Sequence, residues 1–133
     1  LGSMATIVDW DMSQPGLLFI TTRGGPRFRI IERTIQSDRL QTARVSWLDE
    51  PPPQPVPEHL AGAVPLLRAI VADAGPEAFA QPHRFDDATW VGYRLAEILP
   101  IPTEARLRLL ELDDTISRLE IIHAFLKQHR LID

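Results

Sequence analysis

Apolar residues return at helical spacing along the C-terminal half of the chain and at strand spacing along the N-terminal half. The clearest run is 85–112, FDDATWVGYRLAEILPIPTEARLRLLEL. In it Ala88, Val91, Leu95 and Ile98 recur every three or four residues, with Leu99 beside them, which places them on one face of a helix. Asp86 or Asp87 can cap its start, because a short carboxylate accepts from the free N–H groups of a first turn. Pro100 and Pro102 end it, since proline lacks the donor and disfavours helix in the residue before it. Thr103 is then the expected cap of a short second helix with Leu107 and Leu110 turned inward. Asp113 or Asp114 should cap a third over 115–129, with Ile116, Leu119, Ile122, Phe125 and Leu126 as its apolar face. Upstream, Leu60, Val64, Leu67, Ile70 or Val71 and Ala74 predict a helix over 58–74. Pro65 interrupts it, so the helix kinks there or begins near it, and Gly75 is the expected left-handed cap.

The first fifty residues read differently. Strands are predicted over 6–10, 17–23, 27–36 and 40–48, from β-branched and aromatic enrichment and from period-two alternation. Ser13-Gln14-Pro15-Gly16 is a turn, Gly24-Gly25-Pro26 a hairpin connection and Ser37-Asp38 a second turn. The doubled Ile30-Ile31 shifts the phase and leaves room for a bulge. In the last strand Leu40, Thr42 and Arg44 share one face, and Ala43, Val45 and Trp47 the other. Strands joined by short turns form an antiparallel sheet. Residues 51–57, PPPQPVP, read as a stiff extended spacer. The predicted organisation is α+β: 1–3 a tag remnant left out of the fold, 4–50 a β-rich lobe, 51–57 the connector and 58–133 a helical bundle of the same domain.

Several stretches resemble a known family. They are Trp90-Val91-Gly92-Tyr93-Arg94-Leu95-Ala96-Glu97-Ile98-Leu99-Pro100, then Leu109 to Asp114 (LLELDD), then Arg118-Leu119-Glu120. Upstream, Asp9-Trp10-Asp11, Gly16-Leu17-Leu18 and Gly24 to Ile30 (GGPRFRI) match as well. Together they are similar to the Lon N-terminal domain, found as the substrate-recognition region of Lon proteases, in free-standing bacterial proteins and in cereblon. The resemblance implies a PUA-like fold, an incomplete barrel-like antiparallel sheet followed by a helical bundle. It also implies a cytoplasmic, non-enzymatic module that recognises unfolded or extended protein segments in a groove between sheet and helices. Members of that family carry further strands and a helix ahead of the segment matched by Asp9-Trp10-Asp11. This chain should therefore present strand edges that lack partners, and self-associate through them. Trp10, Phe19, Phe28 and Trp47 are the candidate binding residues, because large aromatics dominate binding energy where they are exposed. Each competes with a core role. Trp90 is assigned to the core between bundle and sheet.

Composition narrows the chemistry. With 133 residues the chain is of single-domain length, and 44% hydrophobic and 24% charged residues are ordinary for a globule. A net charge of −4 argues against non-specific binding to nucleic acid. No apolar run is long enough for a membrane span and no signal peptide is recognisable. Without cysteine there is no disulfide, thiolate nucleophile or Cys-ligated zinc. Asp9 with Asp11 could pair carboxylates, but a solvated strand end accounts for them; helix capping accounts for Asp86-Asp87 and Asp113-Asp114. His59, His83, His123 and His129 show no helical metal-pair spacing. No serine lies in GxSxG and no phosphate loop is present, so neither cofactor nor metal is expected. Two other readings remain open. One is an RNA-binding module using Arg23, Arg27, Arg29, Arg33 and Arg44 with Phe28 and Trp47. The other is an enzyme whose site carries no recognisable motif.

Overall fold

Gln14 and Leu17 face each other across Pro15-Gly16, with Gly16 at φ +80°. Proline presets the first corner and glycine takes the positive φ of the second, as a type II turn requires. The hairpin they close is long: β1 is Gly2–Gln14 and β2 is Leu17–Ile35. Gln36 to Leu40 turn the chain again, with the Asp38 carboxylate accepting from the Leu40 N–H at 3.0 Å, and β3, Gln41–Trp47, returns along β2. The computed structural model describes residues 1–133 and resolves them into two compact units, Leu1–Glu50 and Pro51–Asp133.

The sheet is open and antiparallel in the order β1-β2-β3. Its ladder slips between Ile30 and Glu32, so the bulge expected at Ile30-Ile31 is present. Two expectations are corrected. Gly24-Gly25-Pro26 is no hairpin connection: β2 runs straight through it, and neither glycine takes positive φ. A close approach explains Gly25 instead, because a Cβ there would stand 3.2 Å from Met4 Cβ, beside a register slip between Ser3 and Ala5. Residues 1–3, expected outside the fold, contribute Gly2 and Ser3 to β1. Gly2 pairs with Phe28 and Ser3 with Arg27, and the Phe28 ring occupies the space a side chain at residue 2 would need.

The second unit contains a single-turn 3₁₀ segment, Glu58–Leu60, and another, Pro76–Ala78. Its helices are α1, Ala63–Ala74; α2, Ala88–Ile98; α3, Thr103–Glu111; and α4, Thr115–Gln128. α1 starts just before Pro65, where a missing N–H costs nothing, so there is no kink. Gly75 has φ +96° but ψ 141°, outside the left-handed helical region expected of it. Asp87 caps α2, accepting from the Thr89 N–H at 2.9 Å. Thr103 does not cap α3. The Pro102 carbonyl already accepts from the Arg106 N–H, which makes Thr103 the first helical residue.

The core is entirely in this unit. Leu67 of α1, Val91 and Leu95 of α2, and Leu119, Ile122 and Leu126 of α4 are buried together. In α3 Leu109 is buried, Leu110 half-buried and Leu107 exposed, reversing the expected inward role of Leu107. The proline-rich segment is extended but is no free spacer. The Gln54 N–H donates to Asp87 Oδ1 (3.0 Å), the Ala88 N–H to the Gln54 carbonyl (2.7 Å) and the Thr89 hydroxyl to the Pro52 carbonyl (2.9 Å), which straps it to the start of α2. Trp90 is half-buried rather than core, packed edge-on against Phe85 (5.2 Å between ring centres) and beside His83.

Candidate functional site: an uncovered apolar sheet

A sheet normally buries one face against another layer. In residues 1–50 no apolar side chain is buried; the only buried residue is Arg27, whose guanidinium donates to the Asp49 carbonyl. Fourteen of the chain's seventeen exposed large apolar side chains lie here. Such concentration differs from the scattered exposure that any protein shows.

The four candidate binding residues fall in two places. Trp10, 65% exposed, opposes Ile20 across the β1–β2 ladder, and Phe19 opposes Asp11 one step along, so Phe19 points to the other face. Phe28 and Trp47 oppose each other and meet edge-to-face at 5.6 Å between ring centres. Phe28 is half-buried beneath this contact, while Trp47 remains 56% exposed. Aromatic pairs of this geometry hold their rings in place across a strand pair. Trp10 with Ile20 and Phe28 with Trp47 are therefore two apolar clusters built on rigid strands.

The register also sorts the arginines. Arg29 opposes Ser46 and Arg44 opposes Glu32, with Arg44 and Glu32 3.5 Å apart. Past the bulge Arg33 opposes Ala43, which is on the face of Val45 and Trp47. Arg27 is buried. The bulge thus divides the arginines between the two faces, and no single basic face forms.

A second apolar surface lies in the helical unit. α3 and α4 each pack on α2 and barely on one another. The gap between them is a groove of about 420 Å³ floored by Leu99, Leu109 and Ile122 and walled by Ile101, Ile121 and Phe125. Arg118 of α4 ties the far end of α3 to α4: its Nε–H donates to the Leu109 carbonyl at 3.0 Å and its Nη2 to the Leu112 carbonyl, while its guanidinium lies 4.2 Å from the Tyr93 ring centre. Neither the groove nor this arginine was anticipated. The signal for Arg118 was available, since it shares the three-and-four spacing of Thr115, Leu119 and Ile122 that marks the buried stripe.

The titratable groups are arranged as structure. Asp9 accepts from the Trp10 N–H and Asp11 from the Ser13 N–H and hydroxyl, each local to its turn. The Ser117 hydroxyl donates to the Asp114 carboxylate and holds it below its ordinary range, partly offset by desolvation. Desolvation, helped by Lys127 and His59, pushes His123 below its ordinary value. His59 stands 3.7 Å from Glu120, His83 meets the Pro76 carbonyl, and His129 stacks on Phe125. Nowhere do three His, Asp or Glu side chains converge as metal ligands would.

Comparison with known proteins agrees with this architecture. Residues 1–128 match the family model described as the ATP-dependent protease La (LON) substrate-binding domain. Among solved structures, the crystal structure of a Lon N-terminal domain protein from Xanthomonas campestris superposes with a TM-score of 0.74 at 30% sequence identity. The match covers 92% of this chain and 65% of that one, so the chain spans about two-thirds of its length. No curated protein matches. An open antiparallel sheet followed by four helices, matched almost end to end by one family model, means that the chain belongs to the LON substrate-binding domain family.

Proposed function

We propose that the chain recognises extended or unfolded protein segments, that it does so without a catalytic group of its own, and that residues 1–50 supply the contacts. The observation that carries this reading is the sheet that buries none of its apolar side chains. Extended polypeptide suits it for two reasons. Main-chain hydrogen bonds from an exposed strand edge need no particular sequence, and apolar pockets beside that edge accept whichever large side chains the segment offers. Trp10, Phe19, Phe28 and Trp47 are the residues assigned to this contact, with Trp10 and Trp47 the principal anchors because they are the most exposed. The description of the family as substrate-binding, and the Xanthomonas relative's as a Lon N-terminal domain protein, support the same role.

The test is fluorescence polarisation with a fluorescein-labelled model protein, reduced and alkylated so that it stays unfolded. The wild-type chain should bind it. The double variant Trp10→Ser, Trp47→Ser should bind at least about tenfold more weakly, the loss of roughly 1.4 kcal/mol or more. Equal affinity of wild type and variant, with helical circular dichroism unchanged, overturns the assignment. Equal binding of the natively folded form of the probe overturns the specificity for extended segments.

A further inference from the structure

The groove between α3 and α4 is built wholly from residues 99–125 of the helical unit. Its volume of about 420 Å³ lies within the range of small-molecule sites, roughly 300–1,000 Å³. The main-chain carbonyls at its floor are already in use. That of Leu99 accepts from the Arg106 guanidinium at 2.9 Å and from the Ile101 N–H at 2.8 Å. Those of Leu109 and Leu112 accept from Arg118. An extended peptide laid here would leave its own N–H and C=O groups unpaired against apolar side chains. The groove therefore suits a body with no polar groups along its length.

One lining side chain is charged. Arg108 is exposed on α3 at the side of the groove. Glu104 and Glu111, one turn away on the same helix, make no ion pair with it. An uncommitted guanidinium beside a continuous apolar wall complements an anion carried on an apolar body.

We propose that this groove binds a straight-chain fatty acid, its hydrocarbon tail along Leu99, Leu109 and Ile122 and its carboxylate on Arg108. The tail leaves no polar group unpaired, and the planar guanidinium can meet both carboxylate oxygens at once. The Arg118 tie between α4 and the end of α3 is in place without any ligand, so the walls are preformed and little ordering accompanies binding. The site lies apart from the sheet, and it neither rests on the recognition reading nor falls with it.

Titration with dodecanoate below its micelle concentration, followed by NMR of the isoleucine methyl groups, tests the proposal. The methyls of Ile101, Ile121 and Ile122 should shift and saturate at one ligand per chain, while those of Ile7, Ile20 and Ile35 stay in place. Ala105→Trp fills the groove from an exposed helical position and should abolish the shifts. Dodecyltrimethylammonium has the same tail and the opposite charge, and it should bind about fivefold more weakly. Arg108→Ala should erase that preference. Trp10→Ser, Trp47→Ser should bind dodecanoate as the wild type does. Absence of saturable binding, equal shifts in the sheet isoleucines, or indifference to the charge of the head group each overturns the site. So does wild-type affinity in Ala105→Trp with its helical circular dichroism unchanged.

Discussion

Arg118 has no exposed surface, yet it carries a full positive charge among Leu119, Ile122 and Leu109. Burying such a charge costs several kcal/mol unless polar groups replace its water. They do: the carbonyls of Leu109 and Leu112 are the unpaired C=O groups at the end of α3, where the helix dipole is negative. One side chain thus satisfies the end of one helix from the buried face of another. Gly92 lies beside it, and a Cβ there would stand 3.6 Å from Arg118 Cδ, an ordinary packing contact. Removing the guanidinium leaves buried acceptors without donors, so Arg118→Ala should lower stability by about 3 kcal/mol in urea unfolding followed by helical circular dichroism. Arg118→Lys should fall between, since it keeps the charge but loses the planar fork. A loss under about 1 kcal/mol for the alanine variant would show that water caps α3 equally well.

The elements were legible where the chain signals them twice and obscure where it signals once. α2 has a periodic face, an acidic cap and a proline stop, and all three agree with the structure. The bulge at Ile31 was readable because two adjacent isoleucines break alternation. The glycine pair before Pro26 misled, because glycine serves both positive φ and close backbone approach, and only the partner strand decides which. α3 misled for another reason. It is nine residues long, and Ala105, Leu107, Leu109 and Leu110 allow more than one inward face. Packing on α2 and the Arg118 bond at Leu109 select the face with Leu109. The two leucines therefore make a controlled pair. Leu109→Ala should cost about 2–5 kcal/mol as a buried truncation, and Leu107→Ala within about 0.5 kcal/mol of nothing. Equal losses in chemical denaturation would return α3 to the orientation its spacing alone predicts.

At the scale of the molecule, summed composition conceals a division. The net charge of −4 is carried wholly by residues 51–133, with twelve acids against eight bases, and residues 1–50 are neutral. Total hydrophobicity is ordinary, yet every buried apolar residue lies in the helical unit. Periodicity locates apolar faces but does not say whether anything covers them, which is why a core and a binding role for Trp10 and Trp47 could not be separated by pattern. The division makes a sharp expectation about folding. Residues 51–133 hold the core, the strapped proline segment and the Arg118 tie within themselves, and expressed alone they should unfold in one cooperative thermal transition with helical circular dichroism. Residues 1–50 alone have no buried apolar interior to offset chain entropy, so they should show no cooperative transition while dilute. If the helical fragment were disordered, its core would not be self-sufficient. If the β fragment melted sharply as a dilute monomer, strand pairing alone would stabilise it.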